Sequence, residues 1–175
     1  MKLYVVRHGQ TDSNLNHLMQ GITDNNINNN GKEEIEKANR LLKNIEFDVC
    51  ITSPLQRAIN TLRMITDKDF IVDNRLTERN LGIYESKESE SFDQSLYWNY
   101  KENSNFGGVE PVQSLFNRVQ SFYDELKEKY SDKTVLIVAH DAPIRALHYI
   151  IKGYDENTNF LELDIKNGCI LDYEI

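Results

Sequence analysis

Positive charge is scarce in this chain. Of its 175 residues, 20 are Lys or Arg and 28 are Asp or Glu, for a formal net charge of −8. That shortage excludes a general nucleic-acid or membrane-surface binder, because both rely on an excess of Lys and Arg. It also sets a condition on any anion site, which must gather a few convergent Arg and His residues rather than present a basic face. Cysteine is nearly absent: Cys50 and Cys169 each sit in an apolar run. Neither has the Cys-x-x-Cys spacing of metal or redox work, and both read as reduced core thiols. Long hydrophobic runs are missing too. The apolar residues 1–6 give way at once to Arg7-His8-Gly9, too soon for a signal-peptide core, and no later segment approaches the length of a membrane span. A cytoplasmic protein with neither nucleic-acid nor membrane partners is expected. No repeat or linker interrupts the chain, so one domain over residues 1–175 is expected.

What is present is an alternation of apolar runs and amphipathic stretches. Leu3-Tyr4-Val5-Val6, Phe47-Asp48-Val49-Cys50-Ile51 and Phe70-Ile71-Val72 read as short strands. Thr134-Val135-Leu136-Ile137-Val138-Ala139, apolar on both faces, reads as a central parallel strand. An asparagine-dominated loop over 24–30 ends by capping a helix near Gly31, where Ile35, Ala38, Leu41 and Leu42 recur at helical spacing. Ser53-Pro54 signals a second helix, with Ser as N-cap and Pro at the first helical position; Leu55, Ala58, Ile59, Leu62 and Ile65 form its apolar face. A long amphipathic helix is expected over 111–130, and another from Pro143 towards Ile151. Two closing strands, near 160–165 and 169–173, flank a turn at Asn167-Gly168. Residues 86–108, polar and aromatic with weak periodicity, read as an insertion over one face. Strands alternating with helices imply an α/β domain with a largely parallel sheet.

The chemistry concentrates at strand ends. His8 and His140 each follow one of the two most apolar strands, where ligands of open α/β sheets bind. A single such histidine could equally cap a strand in a polar loop; a matched pair argues for function. His17 and His148 have no such placement and read as ordinary residues. Arg7 precedes His8, and Arg57 lies off the apolar face of its helix; a guanidinium fork matches phosphate oxygens. Taken alone, Arg57 reads as a solvated helix arginine and Glu78 as a surface glutamate. Gly9 and Thr11 suit a loop whose backbone amides approach an anion.

Arg7-His8-Gly9-Gln10-Thr11 resembles the Arg-His-Gly signature of the histidine phosphatase superfamily, also called the phosphoglycerate mutase-like family. Further blocks follow in family order over about residues 1–150. Asn14 stands at the family's spacing, and Gln20-Gly21 with Asp24, Ile27 and Gly31 resembles its next block. Ser53-Pro54-Leu55-Gln56-Arg57-Ala58 resembles its second arginine motif. Leu76-x-Glu78 with Gly82, Tyr84 and Glu85 resembles its acidic motif, and Gly108-x-Glu110 with Arg118-Val119 a further block. Val138-Ala139-His140 with Ile144-Arg145-Ala146-Leu147 resembles its second histidine motif. The resemblance implies a three-layer, phosphoglycerate mutase-like sandwich, with a largely parallel central sheet and helices on both faces.

It also implies roles. His8 would attack phosphorus as a neutral imidazole and form a phosphohistidine, its other ring nitrogen donating to a backbone carbonyl. Arg7, Arg57 and His140 would hold the phosphoryl oxygens, and Asn14 would add a neutral donor. Glu78 would protonate the leaving alkoxide and then deprotonate the hydrolytic water, which needs a raised carboxyl pKa. No metal or cofactor is called for, since Arg and His supply the positive charge.

Three positions depart from the family pattern. Gln10 replaces a common glutamate, and Ser86 a usual glycine. Asp141 stands directly after His140, where glycine is usual; a carboxylate there either meets the phosphate or caps the following helix. The expected activity is hydrolysis of a small phosphorylated metabolite, since mutases of the family carry additional enclosing segments. Trp98, Gly107-Gly108 and Glu110 also resemble the α-ribazole and broad-specificity phosphatase branches. A phosphoglycerate mutase and a non-catalytic phospho-ligand binder are the alternatives. Tyr97, Trp98, Tyr100 and Phe106 could shape a substrate pocket or pack the insertion onto the domain. Lys87 and Lys101 could meet a second anionic group or be solvated.

Overall fold

A computed structural model describes residues 1–90 and 92–175; position 91, inside the 86–108 insertion, lies outside the described residues. Five strands form one sheet: β1 (Lys2–Arg7), β2 (Val49–Thr52), β3 (Ile71–Val72), β4 (Thr134–Ala139) and β5 (Ile170–Glu174). Their order is β3-β2-β4-β1-β5, with every pairing parallel except the antiparallel β1–β5 edge. Successive side chains on a strand point to opposite faces, and the core divides accordingly. On one face Val135, Ile137 and Ala139 of β4 join Leu3 and Val5 of β1. On the other, Leu136 and Val138 join Val6 and Cys50.

Helices α2 (Asn29–Leu42) and α3 (Gln56–Ile65) cover the second face through Leu42, Ala58 and Leu62. Helices α5 (Val112–Tyr130) and α6 (Asp141–Lys152) cover the first through Leu115, Val119, Phe122, Ile144 and Leu147. The architecture is therefore α/β, with a mostly parallel central sheet between helical layers. Two short helices complete the α elements: α1 (Asp12–Leu15) and α4 (Gln94–Tyr97). Among the described residues no helix is long and apolar enough to cross a membrane.

Three expected elements form differently, each for a tertiary reason. Helix α3 begins at Gln56, not at Pro54, and its N-cap residue Leu55 has no capping side chain. Ser53 Oγ accepts from the Leu55 N–H at 3.3 Å and lies 2.7 Å from His140 Nε2, and Asp24 Oδ1 reaches across to accept from the Gln56 N–H at 2.8 Å. Residues 160–165 do not pair as a strand; residues Phe160–Glu162 form a 3₁₀ turn. The buried Arg145 guanidinium takes the carbonyls of Phe160 and Leu163, both at 2.6 Å, which would otherwise serve a ladder. Asp141 does not cap α6. His140 occupies the N-cap position without a side-chain cap, and Asp141 is the first helical residue. Its carboxylate pairs with Arg145 one turn on, at 3.1 Å. An i,i+4 charge-assisted contact competes successfully with a backbone amide there.

The insertion is held mainly by its own aromatics. Phe92 packs on Tyr84, Tyr97 and Phe106, and Tyr100 packs on Phe116 and Tyr154. Lys101 pairs with Glu156 and Asn157 at the surface. Ser86 adopts φ 62°, which accounts for glycine being usual at that position.

Candidate active site

Strands β1, β4 and β2 end side by side. Arg7 registers with Ala139, the His8 N–H donates to the Ala139 carbonyl at 3.0 Å, and the Ser53 N–H to Val138 at 3.1 Å. The residues that follow these strands, His8, His140 and Ser53, therefore meet at the carboxyl edge of the sheet. The two imidazole centroids lie 5.0 Å apart. Both rings are buried, His8 at 3% exposure and His140 at 0%.

His8 Nδ1 lies 2.8 Å from the Gly9 carbonyl oxygen. A carbonyl only accepts, so Nδ1 carries the proton and Nε2 keeps its lone pair. Burial, with Arg57 and Arg7 nearby, holds the His8 pKa well below the usual histidine value, so the ring is neutral. The loop that shapes this carbonyl depends on glycine. A Cβ on Gly9 would sit 2.7 Å from the Gly31 carbonyl oxygen, so only glycine lets the first residues of α2 close on it. The amides of Gly9 and Thr11 are not open to an anion. Gly9 N–H donates to Thr61 Oγ1 at 3.1 Å, and Thr11 N–H to Asn14 Oδ1 at 3.0 Å within a capping box.

Arg57 is fully buried. Its guanidinium donates to the carbonyls of Thr23 at 2.7 Å and Gly21 at 2.6 Å, and through Nε to His140 Nδ1 at 3.2 Å. Because Arg57 always donates, His140 Nδ1 is the acceptor and Nε2–H points at Ser53 Oγ. Burial lowers the Arg57 pKa to about 10, opposed by Glu78, Asp24 and Glu85. The same burial, with Arg57 and His8 alongside, keeps His140 well below the usual histidine value. Glu85 builds the loop that Arg57 grips: its carboxylate accepts from the N–H groups of Gly21, Ile22 and Thr23, from Thr23 Oγ1, and from Leu81 N–H. Burial works against that charge, yet these hydrogen bonds hold Glu85 below the usual carboxylate range.

Removing the Arg57 side chain strands one buried carbonyl, one half-buried carbonyl and one imidazole nitrogen. Arg57→Ala is expected to lose about 3–5 kcal/mol of unfolding free energy. Arg57→Lys, with no fork to span three acceptors, is expected to recover less than half of it. Urea unfolding monitored by circular dichroism checks both. A loss below about 1 kcal/mol for Arg57→Ala would contradict this account.

Above the histidines opens a cleft of about 180 Å³, lined by Arg7, Asn14, Gln20, Glu78, Asp141 and Ala142 together with apolar and aromatic side chains that include Tyr97 and Trp98. His8, Arg57 and His140 are not among its lining residues, although Arg7, next to His8, and Asp141, next to His140, are. Glu78 Oε1 accepts from Arg79 N–H at 2.7 Å and Ala142 N–H at 3.2 Å. Burial and the Asp141 charge raise its pKa to about 7, against the pull of those hydrogen bonds and of Arg57 and Arg7. Arg7 donates through NH1 to the Ile165 carbonyl, and its NH1 lies 3.8 Å from Asp141 Oδ1. Among the described residues, Arg7 Nε and Gln20 Nε2 are buried donors without a hydrogen-bond partner. Two orphaned donors on one cleft call for a ligand rich in acceptor oxygens.

Asn14 uses its Oδ1 on Thr11 and Asn167. Gln10 turns to Asn28 and Asn30, not to the cleft. His148 pairs with Tyr173, and neither Lys87 nor Lys101 lines the cleft. Gln20, Ser53, Thr61 and Glu85 are the supporting residues that sequence reasoning passed over. Gln20, Ser53 and Glu85 sat inside the quoted motifs, Ser53 read there as a helix cap, and only their contacts reveal the work they do. Among the described residues no three His, Cys, Asp or Glu side chains are grouped to hold a metal ion.

The chain is similar to known proteins in sequence and in fold. The chain is 31% identical over 173 residues to the uncharacterized phosphatase PhoE of Bacillus subtilis (strain 168), covering 97% of this chain and 86% of that protein. It is 33% identical over 158 residues to a 2,3-bisphosphoglycerate-dependent phosphoglycerate mutase of Cytophaga hutchinsonii, covering 83% and 74%. The crystal structure of the α-ribazole phosphatase from Shigella flexneri superposes with a TM-score of 0.85 at 24% identity, covering 100% of this chain and 91% of that one. At that identity the likeness speaks for the fold. A model of the histidine phosphatase superfamily (branch 1) matches residues 3–175. The chain belongs to the histidine phosphatase superfamily, whose members similar to it include phosphatases and phosphoglycerate mutases.

Proposed function

We propose that this protein is a metal-free phosphomonoesterase that hydrolyses a small phosphorylated metabolite through a phosphohistidine on His8. The observation that carries the reading is a neutral, tautomer-fixed imidazole directly after Arg7, which lines the same cleft as Glu78, a carboxyl whose pKa is raised to about 7. A nucleophile needs the free lone pair; a general acid needs a proton to give near neutral pH. The modest volume of the cleft suits a phosphoryl group with a short alcohol.

In the first step the His8 Nε2 lone pair attacks phosphorus, and the ester P–O bond breaks. Glu78 gives its proton to the departing alkoxide oxygen. The positive charge on the phosphorylated ring is shared with the Gly9 carbonyl through Nδ1–H. Arg7 Nε, the two N–H groups of Arg57 not engaged with Thr23, Gly21 or His140, and the Asn14 amide donate to the phosphoryl oxygens. His140 acts through Arg57, whose Nε–H its Nδ1 accepts at 3.2 Å, and so helps hold that guanidinium in place. In the second step Glu78, now a carboxylate, takes a proton from water as its oxygen attacks phosphorus. The P–N bond breaks, inorganic phosphate leaves, and His8 and Glu78 return to their starting states.

The test is to mix the protein with a panel of phosphorylated metabolites, quench in base and map the phosphoryl group by mass spectrometry. An acid-labile, base-stable phosphoryl group on the His8 peptide, with inorganic phosphate accumulating, is the expected result. Phosphate release without phosphohistidine would overturn the mechanism. The 33% identity to a phosphoglycerate mutase favours one second reading. It predicts interconversion of 2- and 3-phosphoglycerate without net phosphate release, and the same panel distinguishes it.

A further inference from the structure

Asp141 sits where the leaving group must pass. If Glu78 protonates the ester oxygen, its carboxyl marks the leaving-group end of the cleft. The Ala142 N–H that binds Glu78 Oε1 at 3.2 Å brings the start of α6 against that same carboxyl. Asp141 is the preceding residue, lines the cleft and is 29% exposed. Arg145 fixes its orientation through NH2 to Oδ1 at 3.1 Å and Nε to Oδ2 at 3.4 Å. Three arginine contacts, counting Arg7 at 3.8 Å, leave the carboxylate further acceptor capacity.

The charges around it point the same way. Arg7 is the one cation in the cleft lining, which otherwise carries Glu78 and Asp141. Arg145 is 6% exposed and Arg79 1%. Arg79 is engaged with the carbonyls of Glu110 and Tyr97, and Arg145 with Phe160 and Leu163 besides Asp141. Beyond the phosphoryl group the charged side chains of the lining are therefore carboxylates, beside the neutral amide of Gln20. We infer that Asp141 selects the leaving group, admitting phosphomonoesters of alcohols that carry an ammonium or hydroxyl donor beside the ester and rejecting those with a carboxylate or second phosphate there. The inference rests on the phosphomonoesterase reading above. An ammonium gains charge pairing and a hydroxyl only a hydrogen bond, so amino alcohols rank first.

The experiment compares kcat/KM for phosphoethanolamine, glycerol 3-phosphate and 3-phosphoglycerate in the native protein and in Asp141→Asn. Asparagine is nearly isosteric and still accepts from Arg145. All three substrates leave as alkoxides that need the same acid, so any change at Glu78 cancels in their ratios. The expected order is phosphoethanolamine, glycerol 3-phosphate, 3-phosphoglycerate, with the outer two at least tenfold apart. In Asp141→Asn that gap shrinks at least tenfold. Equal ratios in the two proteins, alongside phosphate release that depends on His8, would overturn this inference alone. No release from any ester, phenyl phosphate included, and no phosphoryl group on His8 would take the underlying reading down with it.

Discussion

Glu78→Gln is expected to give a protein that is more stable at pH 8 and nearly inactive. The two effects share one cause. Burial and Asp141 raise the Glu78 pKa from an ordinary 4.5 to about 7. Between those values the folded protein binds a proton that the unfolded chain does not. This stabilising contribution is complete below about 4.5 and is lost as pH rises through 7. At pH 8 the native protein therefore holds an ionised carboxylate at a cost of about 3 kcal/mol, at 1.36 kcal/mol per pKa unit. Glutamine keeps an acceptor for the Arg79 and Ala142 amides and carries no charge. The stability difference between variant and native protein is expected to be small at pH 4.5 and to approach that figure at pH 8. Urea titrations across this range measure it, and a flat difference would contradict the buried-charge account.

Catalysis moves the opposite way. Without a transferable proton, hydrolysis of alkyl phosphates is expected to fall by about 10²–10⁴-fold. Aryl phosphates, which leave as stable anions, are expected to lose much less. The native rate is expected to decline above about pH 7 as Glu78 ionises, and that limb to be missing in Glu78→Gln.

His8→Ala is expected to abolish phosphate release while leaving the fold in place. A loss on the order of 10⁵-fold or more fits removal of a nucleophile. No other ring can replace it. His140 has Nδ1 accepting from Arg57 and Nε2 against Ser53, so both its edges are committed. Adding Glu78→Gln to His8→Ala is expected to cost little more, because an acid without a nucleophile has no step to assist. Single-turnover phosphate release by each variant settles the order of effects, and a His8→Ala protein within tenfold of the native rate would sink the mechanism. The variant also carries a pH signature. His8 is held neutral well below 6.5, so its contribution to stability is present above 6.5 and lost as pH falls below it. His8→Ala is therefore expected to tolerate mild acid better than the native protein.

Much of this was legible in the residues. β4 appeared at its full length because both its faces are buried, and the periodicity of α5 shows in Leu115, Phe116, Val119, Phe122 and Leu126. Motif order singled out His8, His140, Arg57 and Glu78, and the fold sets the two imidazoles 5.0 Å apart with Arg57 on His140. What local pattern could not carry was competition from distant partners. Ser53-Pro54 is a sound cap signal, but the nearby imidazole of His140 faces the hydroxyl. Residues 160–165 look like a strand until a buried arginine takes two of their carbonyls. Asp141 looks like a cap until Arg145 offers it a full charge. The amides of Gly9 and Thr11 looked open, whereas Thr61 and Asn14 already accept from them. In these cases a side chain remote in sequence, or about one helical turn away, takes a partner that the local pattern assigns elsewhere.

Trp98 stands among these contacts as the chain's single tryptophan. It lines the cleft at 7% exposure, with the Arg79 and Arg145 guanidinium carbons 5.6 and 5.4 Å from its ring. Arg145 in turn holds Asp141. The emission of one indole therefore reports the local field at the site, so that ligand entry or loosening of the insertion can each be followed optically without adding a label.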